Sequence, residues 1–383
     1  MSDKKRFLEH LHRDMEMQDV LLKGIPEICP RSGNRVRKDM ITMMNNVIRA
    51  VESDSLAGDW GALDYQILPL IRRTYWPEIA FELVTMQPMT MPTGKVVYLN
   101  DRYAEAQAGG TPNAITENAR MDSYHSRTFG DSAEGSNPKQ VGLTFASVTI
   151  DTSEKKFKGE WSIEAAQDAK AYLGIDMEAE HVRIIGQEAR REIGNWIIYQ
   201  LLTYATAGNV NWCITPPSGS DTVNTVAYAK RFWEAIVSAN NLVFKKKYVN
   251  ANFIVGHPDV IERLEKAEEY KITRPAGYNP NEASYGRHFA GTIDAGFGPC
   301  KIYKDPWFSS TTKLLVGFKG GDWMNAGAFW APYIPMWLTP TWVDIDNAFT
   351  HKKGGITRYG KRADTGAIVL DGDYYATVTI TTS

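Results

Sequence analysis

Residues 160–180 read EWSIEAAQDAKAYLGIDMEAE and run straight into HVRIIGQEARREIGNWIIYQ, residues 181–200. In the second segment Val182, Ile185, Ala189, Ile193 and Trp196 recur at spacings of 3, 4, 4 and 3, which is one apolar face of a helix. The two segments together predict a long helix of about 40 residues, kinked where Gly174 interrupts it. On its first half Glu160, Glu164 and Asp168 stand at i, i+4 and i+8, and Asp176 and Glu180 repeat the step. Like charges at that spacing destabilise a helix by roughly 0.2–0.5 kcal/mol per pair. Lys170 is off that face, so the stripe calls for cations from elsewhere in the chain or from a second molecule.

Upstream, Val96, Val97, Tyr98 and Leu99 predict a strand, and alternation resumes at Val141, Leu143 and Phe145 before changing phase at Val148 and Ile150. The phase change predicts a bulge or bend. Residues 100–140 between the strands are polar and rich in Gly, Ala, Asn and Ser, so the two strands form a long projecting hairpin. Its tip carries Arg102, Arg120 and Arg127, and Arg72 and Arg73 precede it. A connection of that length has a functional reason more often than not. Residues 4–51 predict two amphipathic helices, one striped by Leu8, Leu11, Met15 and Leu22, the other by Val36, Met40, Met43, Val47 and Val51. Two such helices enclose no core, so they form an arm lying on the rest of the molecule.

Downstream, a helix with Ala229, Phe232, Trp233, Ile236 and Val237 inward is expected to end near Asn240. The strand FIVG follows, then a helix opening at Pro258, where proline suits the first turn. From Gly291 the chain turns to short β segments, and prolines at 332, 335 and 340 argue against a regular central strand there. The closing DYYATVTITTS alternates and predicts a strand returning to a sheet.

Composition narrows the function classes. The 383 residues are 43% apolar and 11% aromatic, enough for roughly two to three packed units. Forty-three basic and 45 acidic residues leave a net charge of −2, so no global positive field recruits nucleic acid or acidic lipid. Cys29, Cys213 and Cys300 match no zinc spacing and suit a reducing compartment. The charged start MSDKKRFLEHLHRD predicts no secretory leader, and no run approaches the roughly 18 apolar residues of a membrane helix.

Motifs for chemistry are sparse. Glu178 and His181 form an E-x-x-H step of the kind used by di-iron helical bundles, but the only comparable step, Asp122 to His125, lies in the hairpin tip. The HRD at His12–Asp14 lacks the glycine-rich loop and downstream Asn of a kinase, and TGKV and GFKGGD lack the rest of a phosphate loop. Lys245, Lys246 and Lys247, flanked by Phe244 and Tyr248, could stack and pair with nucleic acid, although a solvated helix-to-strand connection is the plainer reading. The tryptophans at 323, 330, 337 and 342 read as core rather than as a sugar-binding face. A carboxylate-metal hydrolase on Glu178 and His181 and a DNA-binding module on Lys245 to Lys247 are therefore the alternatives to an assembly protein. In the last, the acidic stripe Glu160, Glu164 and Asp168 meets Arg72, Arg73, Arg102, Arg120 or Arg127 of a neighbouring copy in a heterologous contact.

Four blocks carry a resemblance. KFKGEWSIEAAQDAKAYLGIDMEAE resembles the start of the spine helix in major capsid proteins of T-even-type contractile-tailed phages, which have the HK97 fold. IRRTYWPEIAFELVTMQPMTMPTGKVVYL, FAGTIDAGFGPCKIY, and VGFKGGDWMNAGAFWAPYIP continuing to GGITRYGKRAD agree as well, in the family's order, from about Ile71 to Asp364. The resemblance implies an α+β, HK97-like chain: an N-terminal arm at 1–80, an extended loop with flanking strands at 81–160, a spine helix of the peripheral domain at 161–209, an axial domain at 210–345 and strands returning to the peripheral domain at 346–383. It implies hexamers and pentamers tiling an icosahedral head around double-stranded DNA, with vertex, portal, scaffold and decoration proteins as partners. It further implies a place in the virion after assembly in the host cytoplasm, and no catalysis, metal, cofactor or membrane.

Two departures stand out. The polar tip of about 40 residues has no room for the inserted domain that T-even capsid proteins carry near the extended loop. Ile25-Pro26-Glu27 fits the context cut by the family's prohead protease, yet a chain numbered from Met1 with two arm helices reads as unprocessed. Lys139 is the extended-loop lysine that a covalent cross-link, known in some relatives, would use.

Overall fold

The alternating run Val141–Trp161 forms one 21-residue strand, β3. The computed structural model describes residues 42, 43, 46, 80–103, 141–213, 232–265, 288–294, 298–321, 326–344 and 350–381, and elements are numbered in chain order among these. β3 pairs antiparallel with β2 (Thr93–Tyr103), from Thr93 opposite Asp151 to Tyr103 opposite Val141, which is the hairpin expected from the alternation. No register shift interrupts the pair, so the expected bulge is absent. The change of apolar phase instead reflects where β3 enters the core: Ile150 packs with Met89, Val96, Phe329 and Ala331.

The inner end of this ribbon extends into a sheet ordered β1-β9-β11-β3-β2, where β1 is Thr85–Met86, β9 is Phe329–Leu338 and β11 is Thr350–Arg362. A short strand, β10 (Trp342–Asp344), pairs with the start of β11. β9 lies inside the sheet between β1 and β11 but is not a regular central strand: β1 covers only Phe329 and Trp330, and the prolines lie where the ladder is irregular. The ladder accommodates them by irregularity. β9 and β11 slip register between Ile356 and Arg358 and again between Arg358 and Tyr359, which leaves Pro335 in a bulge, and β1 is too short to need an N–H from Pro332.

A second sheet is ordered β4-β12-β8-β5-β7-β6: Gly208–Cys213, Tyr375–Thr381, Lys313–Gly317, Phe253–Gly256, Pro299–Lys304 and His288–Asp294. The period of two along its strands sends residues to two separate cores. Ile254, Leu314, Val316, Ala376 and Val378 pack with the buried faces of α4 (Phe232–Lys247) and α5 (Pro258–Glu265). Phe253, Val255, Leu315 and Tyr375 pack on the other side with Trp330 and Tyr359 of the first sheet and with Ile193, Ile197, Ile198 and Leu201 of α3 (Met177–Thr203). A one-turn helix, α1 (Ala80–Leu83), leads into β1 and places Leu83 in the same core.

β9, although it lies before residue 345, joins the first sheet, and β12 runs between β4 and β8 of the second, where Tyr375 shares a core with Ile193, Ile197 and Leu201 of α3. Alternation announced β12 as a strand but not which edge would accept it. α4 runs on to Lys247 rather than ending near Asn240, because Val243 is still buried in its core. FIVG and the helix at Pro258 form as expected, β5 followed by α5.

Candidate assembly interface

The predicted 40-residue helix is three pieces. β3 runs as far as Trp161 because β11 continues the ladder to that point, with His351 opposite Trp161. Ser162 then caps α2 (Ile163–Asp168), its hydroxyl accepting from Ala165 N at 3.2 Å. One wide turn of π-helix, Ala169–Leu173, follows and ends at Gly174, whose φ of 65° is a left-handed conformation that side chains disfavour. Asp176 restarts the chain as the cap of α3, its carboxylate accepting from Glu178 N at 3.0 Å.

The carboxylate stripe is therefore not one helical face. Glu160 is a strand residue opposite Lys352, pairs with Lys158 at 2.7 Å and accepts from Thr350 Oγ1 at 3.1 Å. The Lys158 ammonium, with Thr350 and Lys352, holds its carboxyl below the usual carboxylate range. Helical spacing was the wrong period for it, since strand pairing overrode the i, i+4 pattern. Glu164 and Asp168 do share α2, are exposed, and meet no cation among the described residues. Neither α2 nor the π-turn buries a single residue, and Tyr172 and Leu173 are 85% and 70% exposed at the tip, with Ile175 beside them. Of the five arginines expected to answer the stripe, Arg102 lies on β2 with Gly142 as its backbone partner; Arg72, Arg73, Arg120 and Arg127 lie outside the described residues.

The E-x-x-H pair is spent on structure. Glu178 accepts from Lys353, a side chain 2% exposed, and from Thr341 Oγ1 at 2.8 Å. Burial pushes the Glu178 carboxyl up, but these hydrogen bonds outweigh it and hold it below the ordinary range. His181 stacks on Trp161 at 4.7 Å between ring centroids, and His351 stacks on the same indole at 5.9 Å. The junction of β3, β11 and α3 is thus a packed polar-aromatic joint from which α2 projects. His351 and Lys353 went unremarked in the sequence; their alternation around Lys352 in a strand was the available signal.

The lysine run also differs from its expected place. Lys245, Lys246 and Lys247 form the last turn of α4, where positive charge complements the helix dipole. Lys246 reaches Asp373 at 2.9 Å and the Thr206 carbonyl at 2.7 Å, and Lys247 pairs with the buried Asp371 and covers the Tyr374 ring at 4.8 Å. Only Lys245 of the three remains exposed. TGKV opens β2 as ordinary strand. Among the described residues no cluster of His, Cys, Asp or Glu could hold a metal ion, and no helix is long and apolar enough to cross a membrane.

Comparison with known proteins supplies what the geometry does not name. The chain is 26% identical over 274 residues to the major capsid protein of Vibrio phage KVP40, covering 67% of this chain and 52% of that protein. It is 26% identical over 246 residues to the major capsid protein of Enterobacteria phage T4, covering 58% and 45%. The chain thus spans about half the length of these curated relatives. Among solved structures, the capsid of Myoviridae phage XM1 aligns with a TM-score of 0.47 at 9% identity, over 79% of this chain and 92% of that one. The profile described as "Major capsid protein Gp23" matches residues 61–137 and 105–376, the greater part of the sequence, and the chain belongs to that family.

Proposed function

We propose that this chain is a structural subunit of a phage head, acting by assembly with copies of itself. The family match from residue 61 to 376 carries the reading. In it the chain has an HK97-like arrangement, with the β2–β3 ribbon as extended loop, α3 as spine helix, and an axial domain built around the second sheet. Copies form hexamers and pentamers of a closed icosahedral shell around double-stranded DNA, in the virion after assembly in the host cytoplasm. Vertex, portal, scaffold and decoration proteins complete the particle. The use of Glu178 and His181 in the packed joint, and of Lys246 and Lys247 in pairs with Asp373 and Asp371, speaks against hydrolase and DNA-binding readings. Electron microscopy of the purified full chain, alone and with its co-expressed head proteins, tests this: shell-like particles or capsomers are expected. A persistent monomer that binds DNA tightly with a steep salt dependence, or that holds a stoichiometric metal, overturns it.

The contact we assign to the projecting segment is with a second copy. Glu164 and Asp168 accept arginines from Arg72, Arg73, Arg102, Arg120 or Arg127 of the neighbour, and exposed Tyr172 and Leu173 lie beside the charged pair. Glu160, held by Lys158 and Thr350, fixes the strand end from which these acids project. Glu164→Lys should leave the monomer's thermal midpoint unchanged within about 0.5 kcal/mol of stability, as surface substitutions do, while reducing the assembled fraction in sedimentation. A shell in which both acids face only solvent sinks the assignment.

A further inference from the structure

We propose that Asn46 is a positioning residue, the bracket through which the N-terminal arm holds the root of the β2–β3 ribbon. Met43 and Asn46 are helical and three residues apart, so they share a face, and that face is covered: Met43 is 0% exposed and Asn46 2%. The Asn46 amide Nδ2 donates to two carbonyls, Met89 O at 2.6 Å and Tyr333 O at 2.9 Å. A primary amide has two hydrogens, so one side chain can satisfy both.

The two carbonyls explain why an amide is needed there. Tyr333 sits in the stretch of β9 where register slips against β11, between the prolines at 332 and 335 that offer no N–H. Met89 follows β1, and its own N–H goes to Pro332 O at 3.0 Å. The regular ladder thus stops at Met89, and buried carbonyls beyond it need a donor from outside the sheet. Met89 is at the same time part of the ribbon's root, packed with Val96 and Ile150. An open cleft of about 240 Å³ lies beside Met89, Lys95 and Ile150 at the surface of that root. The amide of Asn46 therefore adds directional fixation to the apolar packing of the root. Asn46 and the ribbon root are coupled through it, and withdrawing this side chain removes both hydrogen bonds together and loosens the ribbon.

Hydrogen exchange of the full chain tests the coupling and does not depend on the shell reading. In Asn46→Ala and Asn46→Asp, protected amides within residues 93–96 and 148–151 should exchange roughly tenfold faster, the scale of two lost hydrogen bonds. Those of β8 and β12 should keep their rates, and Met43→Leu, which preserves apolar contact, should leave the ribbon root as in the parent. Unchanged rates at the root in both Asn46 variants overturn the proposal. So does equal acceleration in both sheets, which would make Asn46 a general stabiliser, or an equal effect of Met43→Leu, which would assign the hold to packing.

Discussion

The second sheet buries both faces along β5 and β8, whereas the described side chains of the β2–β3 ribbon are mostly uncovered. Along β5 and β8, Phe253, Val255 and Leu315 face one core while Ile254, Leu314 and Val316 face another, so every residue of the pair's middle is covered. Along β3 from residue 147 to 158 only Ile150 is buried. Both regions are β-structure with alternating sequence, yet one is held by apolar area on two sides and the other by ladder hydrogen bonds, close packing at one end and polar brackets. The contrast fits the assembly role proposed above, in which one rigid body would carry a projection whose free surface meets a neighbouring copy.

The sharpest way to break the comparison is in the doubly covered sheet. Leu315→Ala removes a fully buried side chain between Phe253, Tyr375 and α3, and should cost about 2–5 kcal/mol in urea unfolding. Both sheets should lose protection together, because this core joins them. A smaller and local effect is expected at the ribbon's root. A Cβ on Gly360 of β11 would lie 2.5 Å from Ile150 Cγ2 and 2.6 Å from Met89 Sδ, so Gly360→Ala overpacks the point where β3 leaves the core. The expected loss is about 1–3 kcal/mol, with exchange accelerating first in residues 93–96 and 148–151. Uniform acceleration would show that the ribbon root and the second sheet are one cooperative unit.

The smallest expected effect tests the link between the two regions. Glu82 of α1, just before β1, accepts from Lys301 Nζ and Tyr303 OH of β7, each at 2.9 Å. Burial raises its carboxyl, but the bonds from Lys301 and Tyr303 prevail and place it below the ordinary 4.5. A depressed folded value means that the contribution is complete above the unfolded pKa and fades as pH falls through the folded one. Glu82→Gln should therefore cost up to about 1 kcal/mol at pH 7, and the difference from the parent should close at pH well under 4.5. A difference that persists in acid would assign the loss to packing rather than to charge.

Much of this was legible before the fold. The buried face of α3 follows Val182, Ile185, Ala189 and Ile193 as spaced, the hairpin follows its two alternating runs, and β5 and α5 follow FIVG and Pro258. Pro332 and Pro335 signalled that β9 would not be regular, but not that a bulge would absorb the missing N–H and keep the strand inside the sheet. Glu160 misled because i, i+4 spacing also occurs by chance across a strand-to-helix junction, with Ser162 the residue that marks the change. Asn46 gave no signal at all in a stripe of Val and Met, since its partners are carbonyls more than 40 residues away.

What the sequence determined by itself is periodicity, the segments that punctuate it, and the four ordered blocks that tie the chain to its family. Those are local or linear properties, set by which side chains must leave water and by which residues tolerate a turn. Tertiary structure alone decided that β12 fills the gap between β4 and β8, that Glu178 answers a buried Lys353, and that Glu164 and Asp168 stand apart from Glu160 on a projection with no buried residue. Each of these depends on which distant edge or charge makes the better partner, and the competition between such partners is resolved by packing of the whole chain rather than by any stretch of it.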